Sequence, residues 1–240
     1  VRREQVRAQE LISVARTRRS KSPASDAARV AGLRLLGVYA GLAQQGTHLL
    51  SGLLAGQVPR QWAHYPDDDA IDANGGYQWF YHSHSPDDRP GTSEHGHIHL
   101  FARRKLWSRR LQSKRELAFA ELAIGAQCLA DTRHLLGIGF DAKGLPISLF
   151  TVNSWVTGDL MLSADTTAEL LDRMFLDTGN VGVDAVIESV VRLFRLEIQD
   201  LLVRRDEVLF GFEGSNVLSN ESLEVLSAHA INVDAKLDRL

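Results

Sequence analysis

Residues 77 to 101 read Tyr-Gln-Trp-Phe-Tyr-His-Ser-His-Ser-Pro-Asp-Asp-Arg-Pro-Gly-Thr-Ser-Glu-His-Gly-His-Ile-His-Leu-Phe and hold five of the nine histidines of the chain. Successive residues of a strand point to opposite faces. His82 and His84 therefore share one face of a first strand, and His95, His97 and His99 share one face of a second. Pro86, Pro90 and Gly91 mark the connection as a loop. An antiparallel hairpin with His84 opposite His95 and His82 opposite His97 puts all five rings on one face, with Phe80 and Phe101 below them. Opposed residues in such a ladder have Cβ atoms about 4.5–5.5 Å apart, a span across which two or three imidazoles reach one ion. A slip of one residue would send the two rows to opposite faces.

Neutral imidazoles packed together leave ring nitrogens without donors, and charged ones repel. A metal ion resolves that conflict. Imidazole suits iron, copper and zinc, and a chain with a single cysteine, Cys128, cannot build an all-sulfur site or hold an iron–sulfur cluster. His82, His84, His95, His97 and His99 are thus the candidate ligands. Glu94 is a candidate ligand or general base, and Tyr81 a hydrogen-bond donor behind a ligand. Oxidation is the natural chemistry of iron or copper in an all-imidazole set, and hydrolysis that of zinc. Haem on one of these histidines is a further option, as is a metal-binding protein without catalysis.

Two resemblances bear on the same residues. The run His95-Gly96-His97-Ile98-His99-Leu100-Phe101 resembles the histidine-triad signature of nucleotide hydrolases and transferases, which implies His97 as a nucleophile toward phosphorus. More broadly, Tyr81-His82-Ser83-His84, Glu94 to Phe101 and Phe150 to Asp159 together resemble an uncharacterised bacterial family over roughly residues 60 to 205. That likeness implies which segments belong together and carries no activity.

Around this centre the pattern predicts an α+β fold: a small antiparallel sheet of about four strands, formed by two hairpins and packed against helices from both ends of the chain. The second hairpin runs from His134 to Asn153, with His134, Leu136, Ile138 and Phe140 alternating before the turn Asp141-Ala142-Lys143-Gly144. His134 starts that strand on the apolar parity. Beyond it, Phe150 to Asp159 mixes aromatics with Asn153, Trp155 and Asp159, a composition suited to a pocket wall or cofactor-binding loop, or to a tight turn over a buried Trp155.

In the remaining chain, Val30, Leu33, Leu36 and Tyr39 predict the core-facing stripe of a helix ending near Gln45. Pro59 to Gly76, with Asp67, Asp68, Asp69 and Asp72, reads as an irregular acidic loop in which His64 is a reserve ligand. Arg103 to Arg115 reads as a solvated basic loop, and residues 115–129 as a helix burying Cys128. Thr166 and Glu169 form a capping box, and Val183 to Leu202 repeat at three and four as one long helix. A weaker helix is expected from Glu221 to Leu237. Residues 1–25 form a basic arm and residues 26–240 a single domain, helical from 165 onward.

At 240 residues, 44% hydrophobic and 24% charged, with a net charge of −3, the chain falls in the globular range. The charge balance gives no signal for nucleic acid, and no apolar run is long enough to span a membrane. The expected partner is a small-molecule substrate, with a homodimer contact open to the terminal segments. The lone cysteine fits a cytoplasmic setting.

Overall fold

The computed structural model describes residues 23–84, 93–123 and 131–240. Most of the basic arm, Cys128 and the end of the helix read over 115–129 lie outside these residues. The described elements are α1 (Pro23–Gln44), α2 (Leu49–Leu53), β1 (Tyr65–Ile71), β2 (Tyr77–Ser83), β3 (Gly96–Arg103), α3 (Arg104–Trp107), α4 (Lys114–Ala120), β4 (Thr132–Phe140), β5 (Pro146–Val152), α5 (Ser154–Thr157), α6 (Ala164–Asp172), α7 (Val181–Leu193), α8 (Arg195–Phe210), β6 (Val225–Ala230) and α9 (Val233–Leu237).

The six strands form one sheet in the order β1-β2-β3-β4-β5-β6, each antiparallel to its neighbour. The two expected hairpins make its centre, and a further strand extends each edge, so the sheet has six strands rather than about four. Both added strands fall where none was expected. In β1, Tyr-Pro-Asp-Asp-Asp-Ala-Ile, only Tyr65 and Ala70 are buried, and the register with β2 shifts between them. In β6, where a helix was expected, only Leu226 is buried, and helix is confined to Val233–Leu237. An edge strand needs few apolar residues, so the alternation that reveals central strands is missing from both.

One face of the sheet meets the helices. Trp79, Tyr81, Ile98, Leu100, Leu136, Ile138 and Leu149 join Val186, Ile187 and Val190 of α7 and Ile198, Leu201 and Leu202 of α8 in one core. The expected single helix from Val183 to Leu202 is two, since the backbone departs from helical geometry at Phe194. On α1 the buried stripe is Ala28, Ala31 and Leu35, whereas Val30, Leu33 and Leu36 are exposed. Alanine and glycine suit that face because α7 and α9 approach α1 closely: a Cβ at Gly32 would fall 2.2 Å from Leu237 of α9 and 3.4 Å from Leu193 of α7. The α6 cap also differs from the expected box. Ser163 caps Thr166, while Glu169 pairs with Arg110 and Arg173.

Asp184, at the start of α7, ties that helix to the sheet. Its carboxylate accepts the Trp79 indole N–H at 2.9 Å in the interior and the Thr178 backbone N–H at 2.9 Å at a partly buried turn. Asp184→Leu strands both donors, at about 1–3 kcal/mol each. Urea unfolding should show a matching fall in stability with little change in the dependence on denaturant concentration.

Candidate metal centre

The opposite face of the sheet carries the histidines. The β2–β3 ladder pairs His82 with His97 and Phe80 with His99, and the His84 backbone N–H donates to the His95 carbonyl at 3.3 Å. One rung across four strands reads His82, His97, Gly139, Ser148; the next reads Phe80, His99, Gly137, Phe150. Ring centroids are 5.0 Å apart for His82 and His84, 4.3 Å for His82 and His97, and 4.6 Å for His97 and His99. His82, His97 and His99 are buried, and His84 is partly so.

Three of the rings converge. One ligating nitrogen from each of His82, His84 and His97 lies within 4.8 Å of the others, a group that could hold a metal ion. The Nε2 atoms of His82 and His97 face each other at 2.5 Å, closer than the 2.7–3.2 Å usual for an N–H donor.

His95 lies outside this group. It precedes β3, and its Nδ1 meets the Tyr81 hydroxyl at 2.6 Å, on the helix-facing side of β2. Gly96 makes that contact possible, because a Cβ there would sit 2.4 Å from the Tyr81 oxygen. Burial drives the Tyr81 phenol far above its ordinary pKa, so it stays protonated and donates. Five rings on one face were expected from β2 and β3; four are found, and Tyr81 serves the fifth rather than a member of the group.

A bulge supplies another ring. Between Leu100 and Phe101 the β3–β4 register shifts, so that Leu136 pairs with Leu100 but His134 with Phe101. Leu135 is the extra residue, and His134 leaves the parity of Leu136 for the histidine face. There its Nε2 lies 3.0 Å from Nδ1 of His99. Burial pushes the His134 pKa down to about 3 and that of His99 well below the ordinary value, aided in His99 by the neighbouring imidazoles. The two form a neutral pair.

Aromatic rings frame the cluster. Phe80 stacks on Phe101 at 5.5 Å, Phe150 meets His97 edge-on at 4.9 Å, and Trp62 lies edge-on to His84 at 5.5 Å. Trp62 holds a left-handed backbone with φ +65°, uncommon for a bulky residue. His64, the reserve ligand, instead stacks on Phe80 at 3.7 Å and bonds Asp69 at 2.8 Å.

Glu94 stands behind His97. One carboxylate oxygen is 2.9 Å from Nδ1 of His97, and the other accepts the Ser148 hydroxyl at 3.0 Å. Asn153, Trp155 and Asp159 hold the fold around α5. Asn153 caps Ser154 at 2.8 Å and donates to the Val217 carbonyl at 2.8 Å, Trp155 donates to Leu223 at 3.1 Å, and Asp159 accepts from Thr132. The bonds to Val217 and Leu223 pin the lead-in of β6 to the end of β5, and that of Asp159 ties the segment to the start of β4. Asn153 and Asp159 are buried, and Trp155 is partly exposed rather than buried.

Ser148 and the two glycines of β4 escaped the sequence reading. The signal was present in Gly137-Ile138-Gly139, since glycine inside a strand marks a close approach.

The family model that matches the chain covers residues 29–231, most of its length. The chain belongs to the DUF6969 family, a domain of unknown function. Its histidine rows and the Phe150–Asp159 segment all lie within the matched span, in keeping with the resemblance to an uncharacterised family. No curated protein and no solved structure matches the chain. Among the described residues no helix is long and apolar enough to cross a membrane.

The buried neutral pair has a consequence for acid stability. His134 has a folded pKa of about 3 against about 6.5 in an unfolded chain. Between these values the unfolded state binds more protons, so stability is full above about pH 6.5 and falls as the pH drops toward 3. Thermal unfolding of the metal-free protein should show a Tm that declines through this window. In His134→Asn the decline should be shallower.

Proposed function

We propose that the protein is a metal-dependent enzyme in which His82, His84 and His97 hold a transition-metal ion, iron, copper or zinc, that acts on a small molecule. The observation that carries this reading is the convergence of three imidazole nitrogens, two of them nearly in contact, on a largely buried face of the sheet. Three protein ligands are the number that leaves a position open for substrate or water. When bound, the ion supplies a Lewis acid or, for iron and copper, an electron carrier. Three neutral imidazoles leave its charge uncancelled, which favours an anionic small molecule in the open position. An all-imidazole set suits copper and iron as well as zinc, and oxidation is the reaction we favour.

The histidine-triad reading has less support. It needs a nitrogen of His97 aimed at phosphorus, whereas Nε2 faces His82 and Nδ1 is bonded to Glu94.

Elemental analysis of untagged protein purified without a metal column tests the proposal. About one ion per chain is expected. His82→Ala and His97→Ala should each lose most of it, while His95→Ala should retain it. A protein that is isolated metal-free and takes up no added iron, copper or zinc would sink the reading. An absorption spectrum of the same sample separates haem from a bare ion by the presence or absence of a Soret band.

A further inference from the structure

We infer that Glu94 is a positioning residue that sets the metal affinity of the centre through His97, and that Gly139 is the residue that admits it. The inference rests on the metal reading above and deepens it.

The two nitrogens of an imidazole point in diverging directions, so a group bonded to Nδ1 lies away from whatever Nε2 faces. Glu94 is on the Nδ1 side, 2.9 Å from that atom, and cannot ligate an ion at Nε2 without giving up its place. A carboxylate only accepts. Nδ1 of His97 therefore carries the ring's single proton, and Nε2 presents its lone pair toward His82 and the site. A carboxylate behind a ligating imidazole fixes its tautomer and raises its basicity, and loss of such a partner typically weakens metal binding about 10–100-fold.

Glu94 is itself held. Ser148 donates to its other oxygen at 3.0 Å, and the two meet across β4, over the rung that joins His97, Gly139 and Ser148. A Cβ on Gly139 would fall 2.3 Å from the Glu94 carboxylate and 2.1 Å from the Ser148 hydroxyl. No side chain fits there while Glu94 stays where it is. A glycine with no side chain to offer thereby decides whether His97 is correctly presented.

Zinc titrations of the full chain against a chromophoric chelator, with cobalt(II) absorption spectra as a second readout, test this. Glu94→Ala should raise the zinc Kd about 10–100-fold and alter the cobalt spectrum. Glu94→Gln should recover part of the affinity, since its amide carbonyl still accepts the Nδ1 proton. Gly139→Ala should match Glu94→Ala, and the double variant should be no weaker than either single one, because both remove the same contact. Should Gly139→Ala fold poorly, Ser148→Ala gives a milder loss by releasing the other oxygen.

Wild-type zinc affinity in Glu94→Ala would overturn the inference while leaving the metal reading in place. Equal losses in Glu94→Gln and Glu94→Ala would also overturn it, making Glu94 a ligand. A wild-type chain that takes up neither zinc nor cobalt would overturn the inference, and one that also takes up neither iron nor copper would overturn the metal reading with it.

Discussion

A neutral imidazole has two nitrogens and one proton, so a set of buried rings always holds as many acceptors as donors and can be satisfied only by a definite chain of partners. The histidine face is arranged around that arithmetic. His99 and His134 settle one bond between themselves, Glu94 accepts a hydrogen bond from Nδ1 of His97, and Tyr81 provides for His95 from the other side of the sheet. The facing Nε2 atoms of His82 and His97, with His84 beside them, form the convergent group. Burial reinforces the arrangement by holding His99 and His134 neutral. Protonation would put like charges side by side in a region from which water is largely removed.

The two faces of the sheet are built on different principles. Aliphatic side chains and helices α7 and α8 cover one, and its stability comes from burying apolar area. The other is made of rings, with imidazoles edge-on to Phe80, Phe101 and Phe150 and Phe80 stacked on Phe101, and gains less from sheer area than from geometry. Gly137 and Gly139 let rings and carboxylate lie flat across the middle strand. Above Gly137 the Phe150 ring occupies the space a side chain would take, and above Gly139 Glu94 and Ser148 do so.

The central hairpin was legible because period-two histidines specify both the strands and their register, and the observed pairing of His82 with His97 is the one that alternation predicts. Legibility failed where a residue's face depends on something outside its own strand. His95 departs because Gly96 lets the Tyr81 phenol reach under the start of β3. His134 departs because of a register shift that no local pattern announces. Edge strands β1 and β6 escaped notice for want of burial, and the α1 stripe was misplaced because close helix packing selects alanine and glycine over the larger residues that periodicity favours. Hydrogen-bonding side chains at a strand end serve a corner as readily as a ligand, and Asn153, Trp155 and Asp159 each bond within the fold there.

The bulge at Leu135 also bears on how such a chain can change over generations. His134 and Leu136 already sit on opposite faces, as adjacent residues of an unbroken strand would. Loss of the codon for Leu135 would therefore close the ladder without turning any neighbour over, at the expense of one buried leucine. Within the regular stretch of β3 an insertion or deletion of one residue exchanges the two faces and carries imidazoles into the helix-covered core. Position 135 is thus a place where length can drift while the histidine face stays intact.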